Sequence, residues 1–269
     1  MNKVFLSTGA FTGRINGDNY RLLADYCQHL NCDGFELMIF SVFYSEIENI
    51  IELYNNKKIN IEVIHSDKKI GDLLSSPKDI SFDATKSLFI KNLEISKLLG
   101  ARKIVVHGWG IPDSDKYSNV IYNRIGELKK ISDSYEIDML IENCICINKS
   151  PLLHLENLQT IYPDLGFIID TRCSEFHLEL EETLNSNIWN KNVRHIHIND
   201  YLGGYKDWEA RYPIPQPLEG KVNWGMFFKY LKSMNYSGTI TLEAPSIISE
   251  GVDTITLNRG LKFIYDNIK

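Results

Sequence analysis

The chain alternates between two kinds of segment, and it does so eight times. Short runs with strand-like patterning lie at residues 4–8, 34–38, 59–65, 103–107, 138–142, 165–170, 193–198 and 239–243. Longer segments with apolar residues at helical spacing stand between them. Helices are expected at residues 18–30, capped by Asp18, at 44–56, at 83–99, capped by Asp83 and closed by Gly100, and at 119–135. Others are expected from Pro151, from about residue 178, over 224–234 and over 252–267.

Strands joined by helical crossovers run parallel. Eight such units in 269 residues match the size of a (β/α)8 barrel, read here as one domain over 1–269. A doubly wound open sheet is the competing arrangement. No Gly-x-Gly-x-x-Gly follows the first strand, which weakens its dinucleotide-binding version. The connection 66–82 is long, and its Ile70-Gly71-Asp72-Leu73-Leu74 core is either a lid over a pocket or an extra helical turn.

Composition narrows the partners. A net charge of −6 gives no basic field, so nucleic acid is not indicated as a partner. The five cysteines include no Cys-x-x-Cys pair, and their odd number suggests reduced thiols and a cytoplasmic location. No secretory apolar core opens the chain, and no run is long enough to span a membrane.

The chemistry lies at the ends of the strands. In Val193-Arg194-His195-Ile196-His197-Ile198, period 2 puts both histidines on one face, with Asp200 just beyond. Other strands end in Glu36, His65, His107, Glu142, Asp170 and Glu243. Each shares a face with an inward position two residues earlier, as His107 does with Val105 and Glu142 with Leu140. Active sites of such barrels form where these ends meet.

So many buried carboxylates need compensation, and no Arg or Lys stands at a strand end to give it. A divalent cation is the simplest answer. Glu142, Asp170, Glu243 and His197 suit Mn²⁺, Mg²⁺, Co²⁺ or Zn²⁺. His65 and His107 are candidates for a second metal sharing Glu142, or for contacts with substrate oxygens. A hydrogen-bonded network without metal is the alternative.

The motifs Leu140-Ile141-Glu142-Asn143, Ile168-Ile169-Asp170-Thr171, His195 to Asp200, Pro217 to Trp224 and Gly238 to Glu243 carry a resemblance over essentially the whole chain. Together they resemble the xylose isomerase-like TIM barrel superfamily of sugar isomerases, ketose 3-epimerases, inosose dehydratase-type lyases and endonuclease IV. The resemblance implies a metal quartet of Glu142, Asp170, His197 and Glu243. It also implies that Glu142 and Glu243 form the acid/base pair. Endonuclease IV and the ketose 3-epimerases both use a His three residues after the sixth-strand Asp. Here that position is Cys173, and residues 201–224 hold no His. A three-metal nuclease centre is therefore not encoded in its usual form. His177 could replace the missing His or simply be a surface or capping residue.

The expected activity is a metal-dependent sugar or sugar phosphate isomerase or epimerase. Glu-mediated proton transfer would pass through a metal-stabilised enediolate. Hydride-shift relatives use a Lys near the strand-five Glu, whereas the nearest here is Lys149. Trp109 is expected as an apolar wall or as packing, and Arg211 as a phosphate or hydroxyl contact or a solvated side chain. Glu36 and His195 would orient ligands, and Asp200 would do the same or touch substrate. Gly220, before the helix at Trp224, hints at a phosphate. The competing activities are an endonuclease IV-like phosphodiesterase and a non-catalytic sugar binder. The expected partner is a small carbohydrate, and a homo-oligomer is left open.

Overall fold

A computed structural model describes residues 2–111 and 113–269. The eight strands are β1 (Val4–Ser7), β2 (Gly34–Met38), β3 (Ile61–His65), β4 (Lys103–His107), β5 (Asp138–Glu142), β6 (Gly166–Asp170), β7 (Val193–Ile198) and β8 (Thr239–Leu242). They run parallel and close into a barrel in chain order, β8 pairing with β1. The barrel form of the expected fold is the one observed.

Its interior is graded along the axis. Phe5, Val63, Val105, Leu140 and Ile168 form an apolar cluster inside the cylinder, apart from the larger core between sheet and helices. Burying an aliphatic or aromatic side chain of this size contributes about 1.5–3 kcal/mol. Gly166 makes room for this layer, since a Cβ there would lie 2.3 Å from Leu140 Cδ2. Two residues further along the same face come His65, His107, Glu142 and Asp170. The strand period thus lifts ionisable groups onto an apolar plug. Pairing register then sets neighbours: His107 aligns with Glu142, and Asp170 with His197.

The helices around the barrel are α1 (Arg21–Tyr26), α2 (Ile47–Asn56), α3 (Lys69–Ser75), α4 (Asp79–Leu99), α5 (Ser118–Ser134), α6 (Pro151–Ile161), α7 (Thr171–Phe176), α8 (Leu180–Asn185), α9 (Trp224–Ser233) and α10 (Thr254–Ile268). Helix α4 buries Phe82, Thr85, Phe89, Asn92, Leu93, Ser96 and Leu99, a helical stripe facing the sheet. Gly100 ends it with a positive φ of 75°. Helix α6 begins as expected, with Pro151 in its first turn and Ser150 Oγ accepting from Leu153 N at 3.1 Å.

Several helix starts differ from expectation. Asp18 does not cap the first helix, because its backbone is left-handed, with φ 51°. Only Arg21–Tyr26 is α-helical, followed by one 3₁₀ turn. Helix α4 starts four residues before Asp83, which stays exposed inside it. The helix expected from about residue 178 is α8, beginning at Leu180, and the unexpected α7 precedes it, with Leu178 between them at φ 52°. The 66–82 connection contains α3, whose Ile70 and Leu74 are fully buried. A Cβ on Gly71 would lie 2.8 Å from His107 Cβ, so α3 packs directly against the end of β4. No described helix is long and apolar enough to cross a membrane.

Candidate metal centre

Glu142, Asp170, His197 and Glu243 each offer one ligand atom, and these atoms lie within 4.8 Å of one another. Three occupy strand ends, and Glu243 follows β8. Helix α7 fixes Asp170, because Asp170 Oδ1 caps it, accepting from Cys173 N at 2.7 Å. Asn143 Oδ1 accepts from Asp170 N at 2.6 Å. The Asn199 amide bridges the site, donating from Nδ2 to Asp170 Oδ2 at 2.6 Å and to Glu243 Oε2 at 2.9 Å.

His197 spans two levels. Its Nε2 lies 3.1 Å from Glu36 Oε2, deeper in the barrel. Its Nδ1 lies 3.1 Å from Glu142 Oε1 and 3.6 Å from Glu243 Oε2. Burial disfavours its charge, but Glu36, Glu243 and Glu142 outweigh burial and hold its pKa well above the ordinary value. A cation on Nδ1 would replace that proton and leave Nε2–H directed at Glu36, the usual arrangement for a ligating imidazole.

Glu36 and His195 sit below the quartet, where they would steady it. Glu36 Oε2 accepts from His195 Nε2 at 2.9 Å and Thr241 Oγ1 at 3.1 Å. Burial opposes charge on Glu36, yet His197 and His195 hold its carboxyl below the usual range. Burial pushes His195 down to about 4 despite Glu36.

His107 Nε2 lies 2.9 Å from Glu142 Oε2. His65 Nδ1 lies 3.0 Å from Ser66 O and donates to it, which leaves Nε2 as an acceptor. That Nε2 is buried with no partner among the described residues, 3.7 Å from Glu142 and 3.9 Å from Glu243. Both histidines therefore meet the quartet through shared carboxylates.

Burial works against charge on Glu142, but His107 and His197 hold its carboxyl well below the ordinary range. Glu243 is lowered too, burial being outweighed by His197. Asp170 moves the other way. Burial and the neighbouring Glu142 and Glu243 overcome Arg172 and push it up to about 6.

No Arg or Lys occupies the C-terminal end of a strand, as expected, but cations from beyond the strand ends approach these carboxylates. Lys68, three residues past His65, lines the same cavity of about 210 Å³, as do Arg172 and Arg211. Water reaches Lys68, yet Glu243 and Glu142 outweigh desolvation and raise its pKa. Lys68 and Arg172 follow β3 and β6 by a few residues, Arg172 in the first turn of α7, on the side of the barrel from which functional groups are drawn. That position, and not the strand ends alone, was the signal in the sequence. Asn199 stood in plain view inside the strand-seven motif, but nothing in its local pattern assigned it a partner.

Other candidates separate cleanly. Asp200 is buried and saturated: Oδ1 accepts from Tyr201 N and Val222 N, and Oδ2 from Leu218 N and Trp224 Nε1, all within 3.0 Å. It anchors the loop after β7 and has no oxygen left for substrate. Gly220 serves the same anchor, since a Cβ there would lie 2.2 Å from Asp200 Oδ1. Its expected phosphate role therefore gives way to close packing.

Trp109 is buried at the cavity wall, and its Nε1 donates to Cys144 O and Ile145 O at 3.2 and 3.1 Å. Arg211 is held beside Trp208 and Tyr212 instead of extending into solvent. Cys173 lines the cavity, whereas His177 is buried away from it at the end of α7, its Nε2 accepting from Cys146 N at 3.3 Å. His177 is buried and not on the surface, and it stands at the C-cap of α7, the capping role also expected for it; burial pushes it down to about 4. Lys149 Nζ turns outward to Ser118 Oγ.

The residues fit a divalent ion. Three carboxylates and an imidazole nitrogen converge on one point, a donor set of hard and borderline ligands. The raised Asp170 and the unpartnered His65 Nε2 show that neighbouring residues do not satisfy the site on their own.

Solved structures share this architecture. D-allulose 3-epimerase from Methylomonas sp., in complex with D-allulose, matches with a TM-score of 0.75 at 14% identity, over 99% of this chain and 97% of its own. The 3-keto-D-glucoside 4-epimerase from E. coli gives 0.69 at 18%, over 99% and 100%. The IOLI protein with a binding zinc atom gives 0.73 at 12%, over 99% and 98%. No curated protein matches the sequence. At such identities these likenesses speak for the fold alone. The model of the xylose isomerase-like TIM barrel family matches residues 24–262, and the chain belongs to that family.

Proposed function

We propose that the protein is a divalent-metal-dependent epimerase or isomerase of small carbohydrates. The observation that carries the reading is the convergence of two glutamates, an aspartate and a histidine at the rim of the barrel. The sugar epimerases among its structural neighbours support it.

When bound, the cation would supply Lewis-acid polarisation of a carbonyl and an adjacent hydroxyl. Glu142, Asp170, His197 and Glu243 would hold it. Of the two glutamates, Glu142 is tied down by His107 and His197, and Glu243 by Asn199. Both carboxyls are held below their usual range and so are ionised near neutral pH. Either can accept a proton from carbon, and the one that becomes protonated can return it. Glu243 is the less restrained and more accessible of the two, so we assign it the first abstraction. Asn199 keeps Glu243 and Asp170 in register while charge moves. Trp109 and Tyr212 line the cavity and limit water around the reacting carbon.

Solvent deuterium incorporation into a panel of ketoses by metal-loaded protein tests the reading. Deuterium at a carbon next to the carbonyl is expected, and it should vanish in Glu243→Gln. Nicking of duplex DNA at abasic sites without any sugar exchange would replace the proposal with a phosphodiesterase.

A further inference from the structure

We propose that the substrate carries an anionic group, a carboxylate or a phosphate ester, and that Arg172 and Arg211 grip it beside the acid quartet. The inference rests on reading the site as a carbohydrate centre and narrows its substrate class.

The two arginines line the cavity that holds Glu142, Asp170 and Glu243. They are neighbours, because Arg172 Nη1 donates to Arg211 O at 3.4 Å. The Nε of each is buried and has no acceptor among the described residues. Arg124, Arg194 and Arg259, by contrast, form ion pairs with Asp79, Asp138 and Glu219. Both thus bring positive charge and an unspent N–H to one small cavity, where an anionic group would be drawn.

Asp170 and Glu243 attract Arg172 through charge, but the oxygens Asp170 Oδ2 and Glu243 Oε2 accept from Asn199 Nδ2, and each arginine Nε stays without an acceptor among the described residues. Arg211 is also pre-set, its guanidinium carbon 5.3 Å from the ring centroids of both Trp208 and Tyr212. Stacking fixes its plane and leaves an edge of N–H donors free. Paired oxygens of a carboxylate or phosphate match that edge, whereas a hydroxyl offers a single weak acceptor. Lys68 adds a third positive charge to the same walls. With only about 210 Å³ available, the anion and the reacting carbon belong to one small molecule.

The test uses the full-length, Mn²⁺-loaded protein and three matched ligands: a ketose, its terminal phosphate ester and the corresponding keto acid. Calorimetry measures binding, and solvent deuterium exchange is followed in parallel. One of the two anionic ligands is expected to bind at least 30-fold more tightly than the neutral ketose, and which one does so identifies the group. Arg172→Gln and Arg211→Gln should reduce that advantage to less than threefold while Mn²⁺ is still bound. Arg211→Lys, which keeps the charge and loses the fork, should fall between, with melting curves confirming that each variant is folded. Equal affinity for all three ligands, a uniform loss in the variants, or no binding at all would overturn the proposal. Arginine-dependent anion binding with no deuterium uptake would uphold it and sink the epimerase reading. Uptake without preference for anions would do the reverse.

Discussion

The buried Asp115 and the carboxylates of the quartet are built to opposite specifications. Asp115, just before α5, is saturated. Its Oδ1 accepts from Ile147 N at 3.0 Å and Asn148 N at 2.9 Å, and its Oδ2 from Lys149 N at 2.7 Å and His154 Nε2 at 3.0 Å. His154 Nδ1 in turn accepts from Tyr122 Oη at 2.6 Å. Burial opposes charge on Asp115, but these donors hold its carboxyl far below the usual range. In the quartet, by contrast, carboxylates crowd one another and Asp170 is pushed up, and the adjacent His65 Nε2 has no hydrogen-bond partner among the described residues. A carboxylate whose oxygens are all taken is a structural rivet. One left short of donors is waiting for a ligand. The contrast matters because Asp115, Cys146 and His154 also lie close enough to suggest a metal site, and their hydrogen bonds argue otherwise.

Substitutions should separate the two groups. Glu142→Gln and Glu243→Gln are each expected to lower deuterium exchange about a thousandfold, the scale of a lost acid/base group. Their melting temperatures should hold or rise, since crowded charge is relieved. A fall in stability as large as the fall in activity would erase the distinction. Asp115→Ala should do the opposite. Denaturant unfolding should show a loss of about 3 kcal/mol, because several buried donors are left unsatisfied. Activity per folded molecule should persist.

Asp200→Ala is the next smaller case, with about 2 kcal/mol expected from the same assay, since four donors around one loop lose their acceptor. A loss confined to activity would move Asp200 back among substrate contacts.

The smallest effect is one of pH. The folded pKa of Asp115 is depressed, so its contribution to stability is fully present above the ordinary carboxylate value of 3.8 and is lost as pH falls toward the folded value. The stability gap between wild type and Asp115→Asn should therefore narrow by about 1 kcal/mol between pH 6 and pH 3. A gap that widened on acidification would contradict the assignment.

The strands were legible because a buried parallel strand must be apolar on both faces, and a polar residue at its end stands out. For the same reason Glu142, Asp170, His197 and Glu243 could be aligned by parity before any geometry was known. Helix starts were harder. An Asp before an apolar stripe reads as a cap, yet Asp18 adopts φ 51° and Asp83 lies inside α4. Loop side chains were harder still. Lys68 and Arg211 enter the cavity because of where the segments after β3 and β7 fold, and Arg172 because α7 begins directly after β6. Asp200 shows the converse error: its position just past β7 suggested the site, and the loop claims all of it.

Titration of metal-stripped protein with Mn²⁺, followed by calorimetry and electron paramagnetic resonance, tests the central claim most directly. At least one ion per chain is expected, with a binding site lost in Asp170→Asn and in His197→Gln but kept in Asp115→Asn. Wild-type protein that takes up no ion, or uptake unchanged by those two substitutions, would contradict it.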